Sequence, residues 1–177
     1  MVDPVVAWVA RLALAGVFAR AALHKWREPD VFAAALAAHR LVPAPLVRAL
    51  ATALAATETA IAAGLCTPGT APAAGWAAAA LLGLYSGAVA INLARGRRDI
   101  DCGCSARPQP LSLGLLARNA ALAAAVLPAT APVQGRDLFW VDGLSGVACL
   151  GALGFLWLAA QSLAFGGPGS ARLGRSA

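Results

Sequence analysis

The sequence is short of charge, and this absence is the first guide to the class of protein. Only 12% of its 177 residues are Asp, Glu, Lys or Arg, whereas soluble domains carry roughly a quarter. Hydrophobic residues make up 60% of the chain, and its mean hydropathy is +0.71. This composition excludes an ordinary soluble domain and predicts an all-α polytopic membrane protein. The net charge of +6 does not indicate a nucleic-acid partner, because the basic residues lie mainly in loops between apolar segments.

Five apolar segments are long enough to cross about 30 Å of hydrocarbon, at roughly 20 residues for each helix. They lie at residues 4–24, 45–65, 72–94, 111–130 and 139–164. Because the fourth is the least hydrophobic, we expect a bundle of four to five transmembrane helices. No Lys or Arg precedes the first segment and Arg11 interrupts it, so a retained helix is expected rather than a cleaved signal peptide. One membrane domain is therefore expected over 1–165, followed by a flexible Gly/Ser-rich tail at 166–177.

Basic residues are distributed very unequally between the two faces of such a bundle. With five spans, loops 25–44 and 95–110 share one face with the C-terminus, and a short helix is expected after the sequence EPD at 28–30. That face carries nine basic residues, and the opposite face carries Arg136 alone. The nine are Lys25, Arg27, Arg40, Arg95, Arg97, Arg98, Arg107, Arg172 and Arg175. The excess of positive charge predicts that this face is cytoplasmic.

Two cysteines separated by one glycine lie in the charged loop, within the stretch RDIDCGCSARPQP. A disulfide between Cys102 and Cys104 would close an unusually small ring, and strain makes such a bond easier to reduce. Gly103 allows the backbone to bend that sharply. Exchange requires an accessible thiolate, which the four arginines of the loop favour and its aspartates, including Asp101, oppose. The motif therefore indicates thiol–disulfide exchange.

Two other interpretations of the cysteine pair stay open. The first is a pair of reduced thiols without a function. The second is a metal site, because thiolates suit Cu(I) or zinc and His24 and His39 lie in the other loop on the same face. Both histidines and both loop cysteines could close a tetrahedral site, although their spacing matches no standard zinc module. Cys66 and Cys149 lie on the opposite face and inside an apolar helix, so neither is expected to react readily with the pair.

Ionisable side chains inside the apolar segments need partners, because isolated charge in hydrocarbon is costly. Counted from the helix ends at about 1.5 Å per residue, Arg11 and Glu58 lie at similar depths, about 10 Å from the outer face. We therefore expect an ion pair between them that links the first two long helices. In the fourth segment, Arg118 and Asn119 indicate a polar pocket beneath the cysteine loop.

Several stretches of the sequence resemble the MauE family of methylamine-utilisation proteins, within the broader group of DoxX-like membrane proteins. The first is DIDCGCSA, followed by a helix that opens into Arg118 and Asn119. The second is FARAALHKWREPDVFAAALAAHRLVPAPL, which resembles the family's first helix end, its lysine-containing loop with Lys25, and the proline that follows. Glu58 in TETAIAAGL matches an acidic position of the second long helix. The resemblance covers roughly residues 10–130.

The resemblance implies a role in maturing the disulfide-rich small subunit of methylamine dehydrogenase, alongside a thioredoxin-like protein outside the cytoplasm. It also implies that Cys102 and Cys104 are the redox pair and that their loop lies outside, in disagreement with the charge distribution. The leading hypothesis is a membrane thiol–disulfide redox protein that supports maturation or electron supply of a partner. A quinone bound near Arg118 and Asn119 is one candidate electron acceptor. The alternative is a non-catalytic membrane assembly factor or metal-handling protein that uses the same thiols.

Overall fold

The described chain is built of helices, as predicted. A computed structural model describes residues 1–97 and 111–165, with side chains as far as residue 159. The helices are α1 (Pro4–Arg27), α2 (Pro29–Ala38), α3 (Val47–Cys66), α4 (Ala71–Ala94), α5 (Leu113–Ala124), α6 (Val126–Thr130) and α7 (Trp140–Phe165), with a 3-10 turn at Ala44–Leu46. The described residues contain no strand, only an isolated bridge between Val2 and Val133. The all-α fold class is therefore confirmed.

Within the part of the chain that the structure describes, five helical segments are long and apolar enough to cross a membrane, in agreement with the predicted four to five. They are Pro4–Arg27, Ala44–Cys66, Ala71–Ala94, Leu113–Thr130 and Trp140–Ala159. Their bounds lie close to the predicted ones, and the short helix expected in the first loop is α2. The tail expected at 166–177 lies outside the described residues.

Local chemistry explains where the first two helices begin. Asp3 precedes α1, and its carboxylate accepts a hydrogen bond from the backbone N–H of Val5 at 2.8 Å. Pro4 is the first residue of α1, where its fixed φ suits the helix and its missing N–H removes no intrahelical bond. Pro29 opens α2 in the same way.

The fourth span is broken into two helices, α5 and α6, at Ala125. Pro128 explains this break, because it has no N–H to donate to the carbonyl of Ala124 one turn earlier. Beyond the break, α6 packs tightly against α4. A Cβ added at Gly75 of α4 would clash with the side chain of Thr130 in α6. A glycine at this position therefore permits the close approach of the two helices.

Residues 1–136 form one compact unit, whose core lies between α1, α3, α4 and α6. Its core contains many alanines as well as leucines, and Ala78 of α4 and Ala129 of α6 are fully buried. Small side chains let helices in a membrane protein approach closely, so that van der Waals contact replaces the missing hydrophobic driving force.

A second compact unit begins at Asp137, and its described part contains α7. This helix has 26 residues and an apolar composition throughout. At its start, the carboxylate of Asp142 accepts a hydrogen bond from the backbone N–H of Phe139 at 2.8 Å. This bond satisfies one of the backbone donors that lack an intrahelical partner at a helix N-terminus.

Candidate functional site

A buried ion pair joins α1, α3 and α4. The ammonium group of Lys25, in the last turn of α1, donates to both carboxylate oxygens of Glu58 in α3, at 2.8 and 2.7 Å. The hydroxyl of Tyr85 in α4 donates to Glu58 Oε1 at 2.7 Å. Lys25 is 2% exposed and Glu58 is 1% exposed. Because either charge alone would be costly at this depth, the two groups depend on each other and on Tyr85.

Aromatic rings from α2 and α4 lie against the ammonium group. Lys25 Nζ lies 4.7 Å from the centroid of the Phe32 ring in α2 and 5.7 Å from that of Tyr85. A cation over the face of an aromatic ring is attracted to the negative side of the ring quadrupole, most strongly where water is excluded. Phe32 is itself buried. The short helix α2 is therefore attached to the bundle directly over the ion pair.

The predicted ion pair between Arg11 and Glu58 is wrong. Arg11 Nε instead donates to the carbonyl of Ala129 in α6 at 2.7 Å, one of the last carbonyls of that helix and so without an intrahelical partner. The prediction assumed that α1 and α3 begin and end at the same depth. The contact of Lys25 with Glu58 shows that the last turn of α1 lies level with the middle of α3.

A cavity of about 60 Å³ lies between α2, α3, α4 and α5. Its walls are mostly apolar, and its polar lining residues are His39, Tyr85, Arg118 and Asn119. Asn119 is buried; its Nδ2 donates to Ser86 Oγ at 3.3 Å, and its Oδ1 accepts from Arg118 Nη2 at 3.5 Å. The structure thus brings Arg118 and Asn119 to one cavity, which is more apolar than the pocket expected from the sequence. Its volume is sufficient for several water molecules, at about 10–15 Å³ for each.

The Cys-Gly-Cys motif and Asp101 belong to residues 98–110, which lie outside the described residues. The reactivity expected of the pair stays a prediction. The other two cysteines are described: Cys66 ends α3 and Cys149 lies within α7, and both are free thiols.

The chain on either side of residues 98–110 reaches the walls of the cavity. Before this stretch, Arg97 Nη1 donates to the carbonyl of His39, whose side chain lines the cavity. After it, Leu111 is buried against Val89 and Leu115, which line the same cavity. Both ends of the stretch are therefore held beside one cavity.

The histidines of the alternative metal site do not form such a site with other described residues. In residues 1–97 and 111–165, no group of three or more His, Cys, Asp or Glu side chains could hold a metal ion. His39 is buried and its Nδ1 lies 2.9 Å from the carbonyl of Ala35. Since a carbonyl only accepts, Nδ1 is the donor in this hydrogen bond. A site that joins His24 and His39 to the loop cysteines stays a prediction.

Sequence reasoning missed Tyr85 and Phe32 as partners of the ion pair. Tyr85 is the one tyrosine of the chain and lies in a long apolar helix. A phenol hydroxyl buried in such a helix needs a hydrogen-bond partner, and that requirement was an available signal. Phe32 gave no comparable signal, since its ring is indistinguishable by pattern from any other apolar residue of α2.

Comparison with known proteins gives one consistent result. The family model described as methylamine utilisation protein MauE matches residues 3–132. The MauE of Paracoccus denitrificans is 36% identical over 171 residues, which cover 92% of this chain and 89% of the relative. The MauE of Paracoccus versutus is 40% identical over 144 residues, which cover 77% of each chain. The MauE of Methylophilus methylotrophus is 36% identical over 163 residues, which cover 90% of this chain and 86% of the relative. No solved structure matches the chain. The chain therefore belongs to the MauE family of integral membrane proteins.

Proposed function

We propose that this chain is a membrane thiol–disulfide redox protein of methylamine utilisation, with Cys102 and Cys104 as its reactive pair. The observation that carries the proposal is membership of the MauE family over residues 3–132, a range that includes the Cys-Gly-Cys motif. The motif supplies the chemistry, because two thiols separated by one glycine can form a small strained disulfide. The names of the relatives supply the metabolic context.

The described residues support this proposal by what they place at the two ends of the motif. Arg97 and Leu111 hold the flanking chain against a cavity whose lining includes Arg118 and Asn119. Glu58, paired with Lys25, accepts a hydrogen bond from Tyr85 and so joins α3 to α4, two of the helices that line this cavity. A reactive group attached to rigid elements is positioned more accurately than one on a free loop.

The proposed reaction is exchange with a thioredoxin-like protein. A thiolate of the partner attacks one sulfur of the Cys102–Cys104 disulfide, which forms a mixed disulfide and releases the other sulfur as a thiolate. The second thiolate of the partner then attacks the mixed disulfide. The partner leaves with a disulfide and this chain with two thiols, so two electrons and two protons have been transferred. The reverse sequence balances equally, and either direction would support maturation or electron supply of the partner.

We place the reactive pair on the cytoplasmic side of the membrane. Lys25 is buried in its ion pair and is not a loop charge, which leaves eight basic residues on the face of the motif against Arg136 on the other. An asymmetry of this size predicts a cytoplasmic face. A membrane-impermeant maleimide should therefore label the pair only after reduced cells are permeabilised, in a variant with Cys66→Ser and Cys149→Ser. Labelling in intact cells would place the pair and its partner outside.

Exchange with thioredoxin tests the proposed function. The purified Cys66→Ser/Cys149→Ser protein, with its loop disulfide formed, should oxidise reduced thioredoxin, either stoichiometrically or when thioredoxin is in excess. The same protein with Cys102→Ser and Cys104→Ser in addition is the inactive control. Each single serine variant should lose net exchange, because its one remaining thiol cannot form or regenerate an intramolecular disulfide. A protein that exchanges no electrons but retains copper or zinc through the same cysteines would be the metal-handling alternative.

A further inference from the structure

Helices α2 and α4 end in the same kind of turn, but with different residues in it. Gly96, two residues after the end of α4, has a φ of +74°, and Arg40, two residues after the end of α2, has a φ of +51°. The N–H of Gly96 donates to the carbonyl of Leu93 at 3.0 Å, and the N–H of Arg40 donates to that of Ala37 at 3.0 Å. Glycine adopts this left-handed conformation without strain, whereas a residue with a side chain adopts it at a cost.

Arg40 is the one non-glycine residue with a positive φ in the part of the chain that the structure describes. Such a conformation persists where the surrounding structure holds it in place. The guanidinium group of Arg97 does so here, because its Nη2 donates to the carbonyl of Ala38 at 2.9 Å and its Nη1 to that of His39 at 3.3 Å. His39 is buried and Arg40 is exposed. The turn therefore presents an arginine at the surface.

An open groove of about 430 Å³ lies between this turn and the start of α3. Its volume is in the range of ligand sites, about 300–1,000 Å³. Arg40 is its one charged lining residue, and the rest of its described wall is apolar, including Leu41, Val42 and Val47. Among the described residues, the Arg40 guanidinium has no hydrogen-bond or ion-pair partner. The groove therefore combines an apolar wall with one positive charge that no acidic lining residue offsets.

The groove lies where a membrane span meets the loop that precedes it. Ala44 is the first residue of the span Ala44–Cys66, and Val47 lies three residues further along it. Arg40 precedes the span by four residues. Hydrocarbon gives way to lipid headgroups at the end of a span. The apolar wall is therefore expected at the level of the acyl chains, and Arg40 at the level of the headgroups.

We propose that this groove binds one anionic phospholipid. The Arg40 guanidinium donates to the lipid phosphate, for which its planar fork is suited, and one acyl chain lies along Leu41, Val42 and Val47. Because every phospholipid offers acyl chains to the apolar wall, the choice among lipids comes from the headgroup. A choline headgroup would bring a second cation beside Arg40, whereas a glycerol headgroup would not. The site uses no residue of the cysteine-bearing stretch and is independent of the proposed redox function.

Native mass spectrometry of the full chain in detergent, titrated with phosphatidylglycerol or phosphatidylcholine, measures this preference. We expect phosphatidylglycerol to bind about fivefold more tightly, the factor that one arginine near a membrane surface supplies. Arg40→Gln and Arg40→Gly should each reduce the preference to less than about twofold. Arg95→Gln is the matched control and should retain the preference. Arg95 carries the same charge, is exposed, and among the described residues its guanidinium group has no partner.

Arg40→Gly also separates lipid binding from a purely structural role of the arginine. Glycine suits the left-handed turn, so this variant should unfold in detergent at the wild-type temperature or above it while it loses the lipid preference. Loss of both stability and preference would assign Arg40 a structural role and overturn the proposal.

Four other results would overturn the lipid site. Equal binding of both lipids by the wild type would mean that the groove does not select an anion. An equal loss of preference in Arg95→Gln would assign the effect to the overall charge of this face. Displacement of phosphatidylglycerol by an excess of inorganic phosphate would indicate a site for small anions. A dimer that excludes the lipid would place a second copy of the chain in the groove.

Discussion

One ion pair lies beside Phe32 of α2 and another includes Asp30 of α2, and the two differ in burial rather than in distance. Lys25 and Glu58 are 2.7 Å apart with side chains 1% exposed, whereas Arg48 and Asp30 are 2.9 Å apart with side chains 84% and 79% exposed. The exposed pair is open to solvent, so loss of one partner leaves a charge that can be solvated. The buried pair has no such alternative. Burial therefore decides which pair the fold depends on.

Removal of the Glu58 charge should have the largest effect. Glu58→Gln leaves the Lys25 ammonium buried without a counterion, which should lower the free energy of unfolding by about 3–5 kcal/mol. Thermal unfolding in detergent, followed by tryptophan fluorescence, measures the change. The double variant Lys25→Met/Glu58→Leu is the control, and it should recover most of the loss because it buries no charge. A double variant no more stable than Glu58→Gln would contradict the view that the uncompensated charge causes the damage.

Removal of one hydroxyl from the same cluster should have an intermediate effect. Tyr85→Phe keeps the ring beside Lys25 and removes the hydrogen bond that the hydroxyl donates to the Glu58 carboxylate, so we expect a loss of about 1.5–3 kcal/mol. The same unfolding assay applies. In a background of Lys25→Met/Glu58→Leu, the hydroxyl has lost its acceptor, and Tyr85→Phe should then be neutral or stabilising. An equal loss in both backgrounds would mean that the hydroxyl does not act through Glu58.

Disruption of the exposed pair should have the smallest effect. Arg48→Gln and Asp30→Asn should each change the free energy of unfolding by less than about 1 kcal/mol, because solvent screens the interaction. High salt should remove what remains of the difference. A loss comparable to that of Glu58→Gln would mean that this pair is shielded from solvent by the membrane, and the comparison with the buried pair would no longer hold.

The helices could be predicted from the sequence because each depends on local properties. Mean hydropathy over about 20 residues identifies a span, and the prolines at positions 4 and 29 mark where helices begin. The partner of Glu58 could not be predicted in this way. Depth counted from the ends of each helix favoured Arg11, whereas in the structure Lys25, near the end of α1 and beside Phe32 of α2, contacts Glu58 in the middle of α3. The relative depth of two helices is a property of the tertiary structure, and the sequence of either helix alone does not determine it.

In the candidate site too, some residues can be identified from local sequence and others only from tertiary contacts. Arg118 and Asn119 could be singled out because polar side chains in an apolar segment are costly unless they face a polar partner. Arg97 could not be distinguished from Arg95, since both are basic residues of one loop. Only the left-handed turn at Gly96 and the carbonyls at the end of α2 separate them.

The oxidation state of the loop cysteines tests the central claim most directly. In the Cys66→Ser/Cys149→Ser variant purified without reductant, Cys102 and Cys104 should be protected from a maleimide, and mild dithiothreitol should expose both. Mass spectrometry should therefore show no added maleimide before reduction and two after it. In a series of redox buffers, the potential at the midpoint of this change is the reduction potential of the pair. Two maleimides added to the untreated, air-exposed protein would contradict a Cys102–Cys104 disulfide and the redox function built on it.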